Sequence, residues 1–240
     1  MQNNFKILNW DSQFFGYKIA AIQANNLKLE DLEKIITKLR NQNVKLTYCF
    51  ADPADELSNF SFKSVSGLLV DKKVTFYKEI SETDNFTGSQ FIKSYNRDYV
   101  SDKLKSIALQ SGVYSRFNID PNFKNREFEK LYIEWISKSI QKEIAEEVLV
   151  YYENDDEKGL ITLGLKDNSG SIGLLAVDEK ERGKSIGKKL VQSALIYFKK
   201  KKVNIVEVVT QIENKSACGF YESLGFEVKS LLNIYHLWIN

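Results

Sequence analysis

The stretch VDEKERGKSIGKKL, residues 177–190, places glycines and cations directly after an apolar run and ahead of a helix. A glycine-punctuated turn between a strand and a helix leaves backbone N–H groups free, and the helix dipole adds positive potential there. Such a turn can bind a phosphate group, whereas the alternative is a solvated charged turn without a ligand. The candidate ligand-binding residues of the turn are Arg182, Gly183, Lys184, Ser185, Ile186 and Gly187.

A second group of chemistry-bearing residues follows the next predicted strand. Asn214 opens a predicted helix, and Tyr221 lies about two turns further along on the same helix face. Taken alone, Asn214 would be a helix N-cap and Tyr221 a core aromatic residue. His236, the only histidine, lies in an apolar strand-like run, which favours a structural role over that of a general base.

The composition excludes several classes of protein. The 240 residues carry a net charge of only +2, which gives no basic field for a nucleic-acid partner. No apolar run approaches the ~20 residues of a membrane span, and residues 1–10 lack a signal-peptide pattern. The two cysteines have neither disulfide nor metal-site spacing. The sequence therefore predicts a cytoplasmic protein with no metal site and with no nucleic-acid or membrane partner.

Hydrophobic periodicity predicts a smaller N-terminal α/β lobe over residues 1–92. Its boundary follows a polar segment, 81–90, that is typical of a linker. The elements predicted in this lobe are strands over 17–23 and 44–50, a helix over 29–40, and a β-hairpin over 66–80 that turns at Asp71-Lys72-Lys73.

Residues 93–240 predict a second and larger unit. We expect helices over 98–110, 124–140, 184–201 and 214–224, strands over 146–152, 158–166, 170–177 and 203–210, and two strand-like pieces within 226–239. Three antiparallel strands ahead of an α–β crossover form a mixed sheet with a ligand-sized opening where the strand order changes. We detect no internal sequence repeat.

Two motifs in this unit resemble those of the GCN5-related N-acetyltransferase (GNAT) superfamily. The pattern R/Q-x-x-G-x-G/A of its motif A falls on Arg182, Ser185 and Gly187, with serine in place of the first glycine. We expect Ser185 to cap the helix and to need no positive φ. Motif B, N-x-x-A-x-x-x-Y-x-x-x-G-F, is filled by Asn214, Ala217, Tyr221, Gly225 and Phe226.

The resemblance implies a GNAT fold: a central mixed, mostly antiparallel sheet flanked by helices, with acetyl-CoA or another short-chain acyl-CoA as cosubstrate. The turn would hold the coenzyme A pyrophosphate, and the strand edge at Ala176 and Val177 would bind the pantetheine amides. The Val177 N–H would polarise the thioester carbonyl, and Tyr221 would act as general acid toward the leaving thiolate. Asn214 would serve as both cap and ligand.

Three further segments, 8–22, 115–140 and 209–221, resemble bacterial dTDP-fucosamine N-acetyltransferases. This resemblance implies a nucleotide-linked amino sugar as acceptor and a role in surface polysaccharide synthesis, with the amine position (C3 or C4) and the acyl group left open. Arg116 is the candidate cation for the diphosphate. The candidate aromatic residues for the base are Trp10, Phe14 and Phe15, for which packing between the lobes is an equal alternative.

Two other functional classes stay open at this point. One is an acetyltransferase that acts on a protein or small-molecule amine and shares only the C-terminal fold. The other is a catalytically silent acyl-CoA-binding module. The fold cannot choose between them, because one fold hosts many acceptors. A homodimer is compatible with the sequence.

Overall fold

The computed structural model describes residues 5–166 and 168–239, so residues 1–4 of the segment examined for a signal peptide lie outside the described residues. The strands are β1 (Lys6–Ile7), β2 (Lys18–Gln23), β3 (Val44–Ala51), β4 (Leu68–Glu79), β5 (Ile92–Ser94), β6 (Glu147–Glu153), β7 (Asp156–Lys166), β8 (Ser169–Val177), β9 (Ile205–Gln211) and β10 (Glu227–Trp238). The helices are α1 (Asn9–Phe15), α2 (Leu29–Asn41), α3 (Glu56–Ser64), α4 (Asp102–Gln110), α5 (Arg116–Ile119), α6 (Glu127–Ile140), α7 (Ile186–Lys200) and α8 (Lys215–Ser223).

The ten strands found among the described residues form one sheet in the order β1-β2-β3-β10-β4-β9-β8-β7-β6-β5. The pairs β2–β3 and β8–β9 are parallel, and the other neighbours are antiparallel. This confirms the predicted mixed, mostly antiparallel α/β fold. The predicted boundary near residue 92 does not divide the sheet, because β4 lies between two strands of the C-terminal segment.

Two predicted elements are wrong in the same way. The hairpin expected over 66–80 is the uninterrupted strand β4, and the two pieces expected within 226–239 are the single strand β10. The charged residues at 71–73 are typical of a turn. In the structure they belong to one extended strand, in which Asp71 is buried, Lys72 is exposed and Lys73 is half-buried. In β10 a register shift between Val228 and Ser230 interrupts the alternation without ending the strand.

The two halves of the molecule contain the same β-α-β-α-β unit, β2-α2-β3-α3-β4 and β8-α7-β9-α8-β10. Left-handed backbone recurs with a constant spacing of 159 residues (185 − 26, 202 − 43 and 225 − 66): Asn26, Asn43 and Ser66 correspond to Ser185, Lys202 and Gly225. The buried α2 residues Leu32, Ile35, Ile36 and Leu39 correspond at this spacing to the buried α7 residues Val191, Ala194, Leu195 and Phe198. The fold is therefore an internal repeat that the residue identities do not reveal.

The two units exchange their last strands. Strand β4 pairs with β9 of the other unit, β10 pairs with β3, and β4 and β10 pair with each other in the middle. The register is symmetric about the pair Lys73↔Leu232. As a result, strand β4 of the N-terminal unit lies beside β9, and residues of β4 can line a site at that strand.

Candidate active site

The parallel strands β8 and β9 separate along their length. Their pairing covers only residues 169–172 and 205–208, although β8 continues to Val177 and β9 to Gln211. The N–H groups of Leu174 and Asp178 point to β7, where they donate to Thr162 Oγ1 (2.8 Å) and to the Lys158 carbonyl (2.9 Å). Because N–H directions alternate along a strand, the Val177 N–H points toward the gap. The edge predicted for the pantetheine amides is thus available.

The turn after β8 is exposed and keeps left-handed backbone at two residues. Gly183 has a φ of 82° and Ser185 a φ of 59°, and residues 182–185 are all exposed. The first N–H groups of α7 have no intrahelical acceptor, so they remain free for a ligand. An anion can reach them because residues 182–185 are exposed.

The expectation for Ser185 was wrong. Its backbone is left-handed, and its side chain makes no capping hydrogen bond to the start of α7. Serine here keeps the conformation that a glycine would adopt, at a cost of about 1 kcal/mol in backbone strain. Serine in place of the motif glycine therefore adds backbone strain to the turn but leaves the backbone conformation of the turn unchanged.

Arg182 braces this turn. Its Nε donates to the Val177 carbonyl (3.3 Å) and its guanidinium donates to Gln110 Oε1 on α4 (3.2 Å). Gln110 Oε1 also accepts from the Glu179 N–H (2.9 Å), and Lys103 on α4 is ion-paired with the Asp178 carboxylate. Helix α4 thus fixes the entrance of the turn, and the structure places Arg182 in a positioning contact.

Gly187 lies in the first turn of α7 beside the β8 edge. A Cβ at this residue would lie 3.4 Å from the Phe220 ring and 3.7 Å from Val177 Cγ2, which are ordinary contacts. Alanine therefore fits here, whereas a longer side chain would extend toward the exposed turn.

The segment predicted as a linker packs against the same helix. Lys199 near the end of α7 donates to the carbonyls of Glu82 and Asp84 (2.6 Å each). Residues 87–91 line an open surface pocket together with Ser185 and the α7 residues Lys188, Lys189 and Gln192. Its two lysines suit an anionic portion of a ligand held at the turn.

The gap between β8 and β9 opens into a cavity of about 400 Å³. Strand β8 contributes Gly173, Leu174 and Leu175 to its lining, and β9 contributes Val209, Thr210 and Gln211. Helices α5 and α6 contribute Arg116, Phe117, Tyr132, Trp135 and Ser139, and α8 with its N-cap contributes Asn214, Ala217 and Tyr221. The exchanged strand β4 adds Asp71 and Lys73. Residues of both repeat units therefore surround one space.

Tyr221 and Asn214 reach this cavity from α8. The Asn214 side chain caps the helix by accepting from the Ala217 N–H (3.2 Å). Tyr221 is 5% exposed, and its ring packs against Phe76 of β4 at a centroid distance of 5.9 Å. Burial raises the pKa of Tyr221 above its ordinary value, so the phenol keeps its proton at neutral pH. The structure thus holds a protonated donor at the cavity wall.

Arg116 begins the short helix α5, which the Ser115 side chain caps. Its guanidinium lies over the rings of Tyr48 (4.6 Å) and Phe117 (4.7 Å), and its Nε has no hydrogen-bond partner among the described residues. An arginine held on aromatic faces with an unused donor is suited to an anionic ligand.

Asp71 is a functional candidate that sequence analysis missed. It is 8% exposed, its Oδ1 is buried without a hydrogen-bond partner in the part of the chain described, and it lines the cavity. Burial, opposed by Arg116, raises the pKa of its carboxyl to about 6. The mistaken hairpin hid this residue, because a turn would have placed it in solvent.

The predicted aromatic platform lies elsewhere. Trp10 stacks on Phe14 (5.2 Å), and Phe15 stacks on Phe117 (5.6 Å) and Phe123 (5.4 Å). The first is a packing contact within α1 and the other two join α1 to the α5 region. None of the three predicted residues is among the described residues that line the cavity. Their role at a nucleotide base stays a prediction.

His236 is part of a buried hydrogen-bond network behind Arg116. Its Nδ1 lies 2.7 Å from Asp120 Oδ2, which also accepts from Trp238 Nε1 (2.9 Å). Burial lowers the pKa of His236 to about 4. Burial alone would raise the pKa of Asp120, but the hydrogen bonds that this carboxylate accepts outweigh burial and lower the Asp120 pKa to about 2. This network joins β10 to the end of α5 and supports the structural interpretation of the histidine.

Comparison with known proteins identifies the family. A family model described as "Acetyltransferase (GNAT) domain" matches residues 112–234, which is just over half of the chain. The chain therefore belongs to the GNAT acetyltransferase family, whose members use acetyl-CoA or another acyl-CoA as donor.

Two sequence relatives match parts of the chain. An uncharacterised N-acetyltransferase of Methanocaldococcus jannaschii is 27% identical over 158 residues, covering 63% of this chain and 66% of that protein. N-alpha-acetyltransferase 30 of Xenopus laevis is 43% identical over 68 residues, covering 28% of this chain and 25% of that protein. The chain thus spans just under two thirds of the first relative and a quarter of the second.

Solved structures share the fold over nearly the whole chain. A GCN5-related N-acetyltransferase from Sphaerobacter thermophilus aligns with a TM-score of 0.62 at 13% identity, over 98% of this chain and 76% of that one. A tandem GNAT protein from the clavulanic acid biosynthesis pathway aligns with a TM-score of 0.58 at 11% identity, over 92% and 75% of the two chains. At these identities the likeness concerns the fold alone.

Residues 5–166 and 168–239 contain neither a candidate membrane span nor a candidate metal-ligand cluster. No helix there is long and apolar enough to span a bilayer. No group of three or more histidine, cysteine, aspartate or glutamate side chains there is arranged to hold a metal ion.

Proposed function

We propose that the protein is an N-acyltransferase that moves an acetyl or other short acyl group from coenzyme A to the amino group of a dTDP-linked amino-dideoxyhexose, for surface polysaccharide synthesis. The observation that carries this proposal is the composition of the cavity between β8 and β9. A free strand edge, a phenol, two cations and several aromatic rings meet there.

The donor half of the site follows from the parted strands. The turn at 182–187 and α7 would bind the pyrophosphate of acyl-CoA, and the free edge of β8 would bind its pantetheine amides. The Val177 N–H would polarise the thioester carbonyl. Tyr221 would donate its proton to the departing thiolate, a role that the raised pKa permits because the phenol stays protonated.

The acceptor half follows from the charges on the opposite wall. Lys73 and Arg116 are the cationic side chains among the described residues of the lining, and together they suit a diphosphate. Phe117, Tyr132 and Trp135 line the same wall and offer ring faces to a nucleotide base or a sugar. The segment 115–140 that resembles the amino-sugar acetyltransferases supplies all of these residues except Lys73.

A thiol-release assay tests this function. The protein would be incubated with acetyl-CoA or longer acyl-CoAs and with dTDP-linked 3-amino or 4-amino dideoxyhexoses, and the same sugars without the amine would serve as control. We expect free thiol with an amino sugar and none with the control sugars that lack the amine. Release with peptides or polyamines and not with any amino sugar would reject the sugar acceptor.

A second candidate acceptor is the N-terminal amine of a peptide. It is favoured by the local matches to N-alpha-acetyltransferase 30, which are 35–43% identical over about 68 residues in the frog, human, mouse and fission-yeast proteins. A panel of short peptides in the thiol-release assay would distinguish this acceptor from the sugar.

A further inference from the structure

Asp71 lies where the exchanged strand β4 passes the end of β9. The register pairs Lys73 with Gln211, the last residue of β9, so Asp71 lies two residues beyond that strand end. Past Gln211 the chain turns to Asn214, which caps the helix that carries Tyr221. Asp71 and Tyr221 therefore line one cavity from different repeat units, with the end of β9 between them.

The surroundings of Asp71 leave its carboxylate poorly compensated. Arg116 on α5, Gln211 at the end of β9 and Lys73 on its own strand favour the ionised carboxylate. Glu213 beyond β9 disfavours it, and Tyr132 of α6 faces it as a neutral phenol. Because burial outweighs these neighbours, the carboxyl exchanges its proton near pH 6. A carboxyl that is ionised at neutral pH but easily protonated is suited to general base catalysis.

An acceptor amine needs such a group, because an alkyl amine is mostly protonated at neutral pH and has no free lone pair. Among the described residues that line the cavity, Asp71 is the one that carries a carboxylate. His236 does not line the cavity, and its Nδ1 is already bound to Asp120. Tyr221 is protonated and serves the leaving group.

We propose that Asp71 binds the acceptor ammonium group and removes one proton from it before acyl transfer. The free amine then attacks the thioester carbonyl carbon, the C–N bond forms and the C–S bond breaks. The Tyr221 hydroxyl gives its proton to the departing sulfur, and the second proton lost by the nitrogen restores the phenol. The proton held by Asp71 leaves to solvent, which accounts for the one proton that the reaction releases. This inference rests on the proposed N-acyltransferase function but not on the sugar.

Two acceptors separate proton removal from a structural role of Asp71. Thiol release from acetyl-CoA would be measured for wild type and Asp71→Asn with a protonated amine (the dTDP-amino sugar) and with hydroxylamine, which is largely unprotonated at neutral pH. We expect Asp71→Asn to lower kcat/KM for the amino sugar by ~10²–10³-fold and to leave the hydroxylamine rate within about twofold. In wild type kcat/KM for the amino sugar should level off above about pH 6, whereas in the variant it should keep rising with pH toward the pKa of the amine, because only the free amine can then react.

Glu213→Gln is the matched control. It removes a negative charge near Asp71 at an exposed residue whose side chain pairs with Lys72 at 3.5 Å, and we expect it to leave both rates unchanged. Equal losses with both acceptors in Asp71→Asn, or no loss with either, would overturn the proposal. If wild type acylates a peptide amine and no amino sugar, the sugar acceptor is rejected and the Asp71 comparison is made on the peptide. Absence of turnover with every amine would overturn both proposals.

Discussion

The two repeat units differ at the place where each could bind a ligand. In the N-terminal unit β2 and β3 stay paired from Lys18↔Val44 to Gln23↔Phe50, whereas β8 and β9 part after four residue pairs. The turns that follow differ as well. The N–H groups of Asn26 and Leu27 are occupied by Asp55 Oδ2 (2.9 Å) and Ser58 Oγ (2.8 Å), whereas residues 182–185 of the other turn are exposed.

The same difference extends to the helix that follows. At the spacing of 159 residues, Tyr221 of α8 corresponds to Phe62 of α3, and Asn214 corresponds to the cap Asp55 (221 − 62 and 214 − 55). Phe62 is fully buried against Tyr235, whereas Tyr221 reaches a cavity. In our proposal, the C-terminal unit forms a site because its first strand pair opens and a phenol replaces a core ring. In the N-terminal unit, which is the closed one, β2 and β3 stay paired, and its last strand, β4, pairs with β9 of the other unit.

The largest effect is expected from a charge placed at the open turn. Gly187→Glu would direct a carboxylate toward the bound pyrophosphate, and we expect coenzyme A binding to be lost in a calorimetric titration. The corresponding substitution in the closed unit, Lys28→Glu, should leave binding unchanged (187 − 28 gives the same spacing of 159). Gly187→Ala should fold and bind, because its Cβ meets only ordinary contacts. Retained binding in Gly187→Glu would contradict the assignment of the turn.

Tyr221→Phe makes the open unit resemble the closed one. Loss of a general acid should lower kcat by ~10²–10³-fold and leave the affinity for coenzyme A nearly unchanged. Single-turnover rates and titrations measure the two quantities. Tyr235→Phe, which removes a buried hydroxyl bound to Asn59 in the other unit, is the control for loss of a buried phenol. An unchanged rate in Tyr221→Phe would remove this residue from the mechanism.

A smaller effect is expected from Asp71 on strand β4, which the N-terminal unit contributes to the cavity. The pKa of Asp71 is raised by burial from 3.8 to about 6, so between these values the folded state holds a proton that the unfolded chain has lost. The unfolding free energy of wild type should therefore fall, relative to Asp71→Asn, by about 2–3 kcal/mol as the pH rises from about 4 to above 6. Denaturant unfolding of both proteins across this range measures the difference. A constant difference would place the carboxyl in a solvated environment.

The smallest effect concerns the strained turn residues. Ser185→Gly and its counterpart Asn26→Gly each relieve left-handed backbone and should each stabilise the fold by about 0.5–1 kcal/mol. Thermal unfolding without ligand measures both. A loss of stability in Ser185→Gly would show that serine makes a contact that offsets its strain.

Sequence analysis predicted the local structure around the candidate donor residues better than the local structure around Asp71. The turn, Asn214 and Tyr221 belong to a continuous β-α-β-α segment, where apolar period and glycine position indicate the local structure. Asp71 comes from a strand that is exchanged over a long sequence distance, and its two lysine neighbours imitate a turn. The repeat itself is carried by buried positions and backbone angles, so residue identities could not show it.

The central claim is that only the unit with the parted strands binds acyl-CoA. Isothermal titration of the protein with coenzyme A tests this claim most directly. The account predicts one coenzyme A per chain for wild type and Lys28→Glu and none for Gly187→Glu. Two molecules per chain, or equal binding in Gly187→Glu, would contradict it.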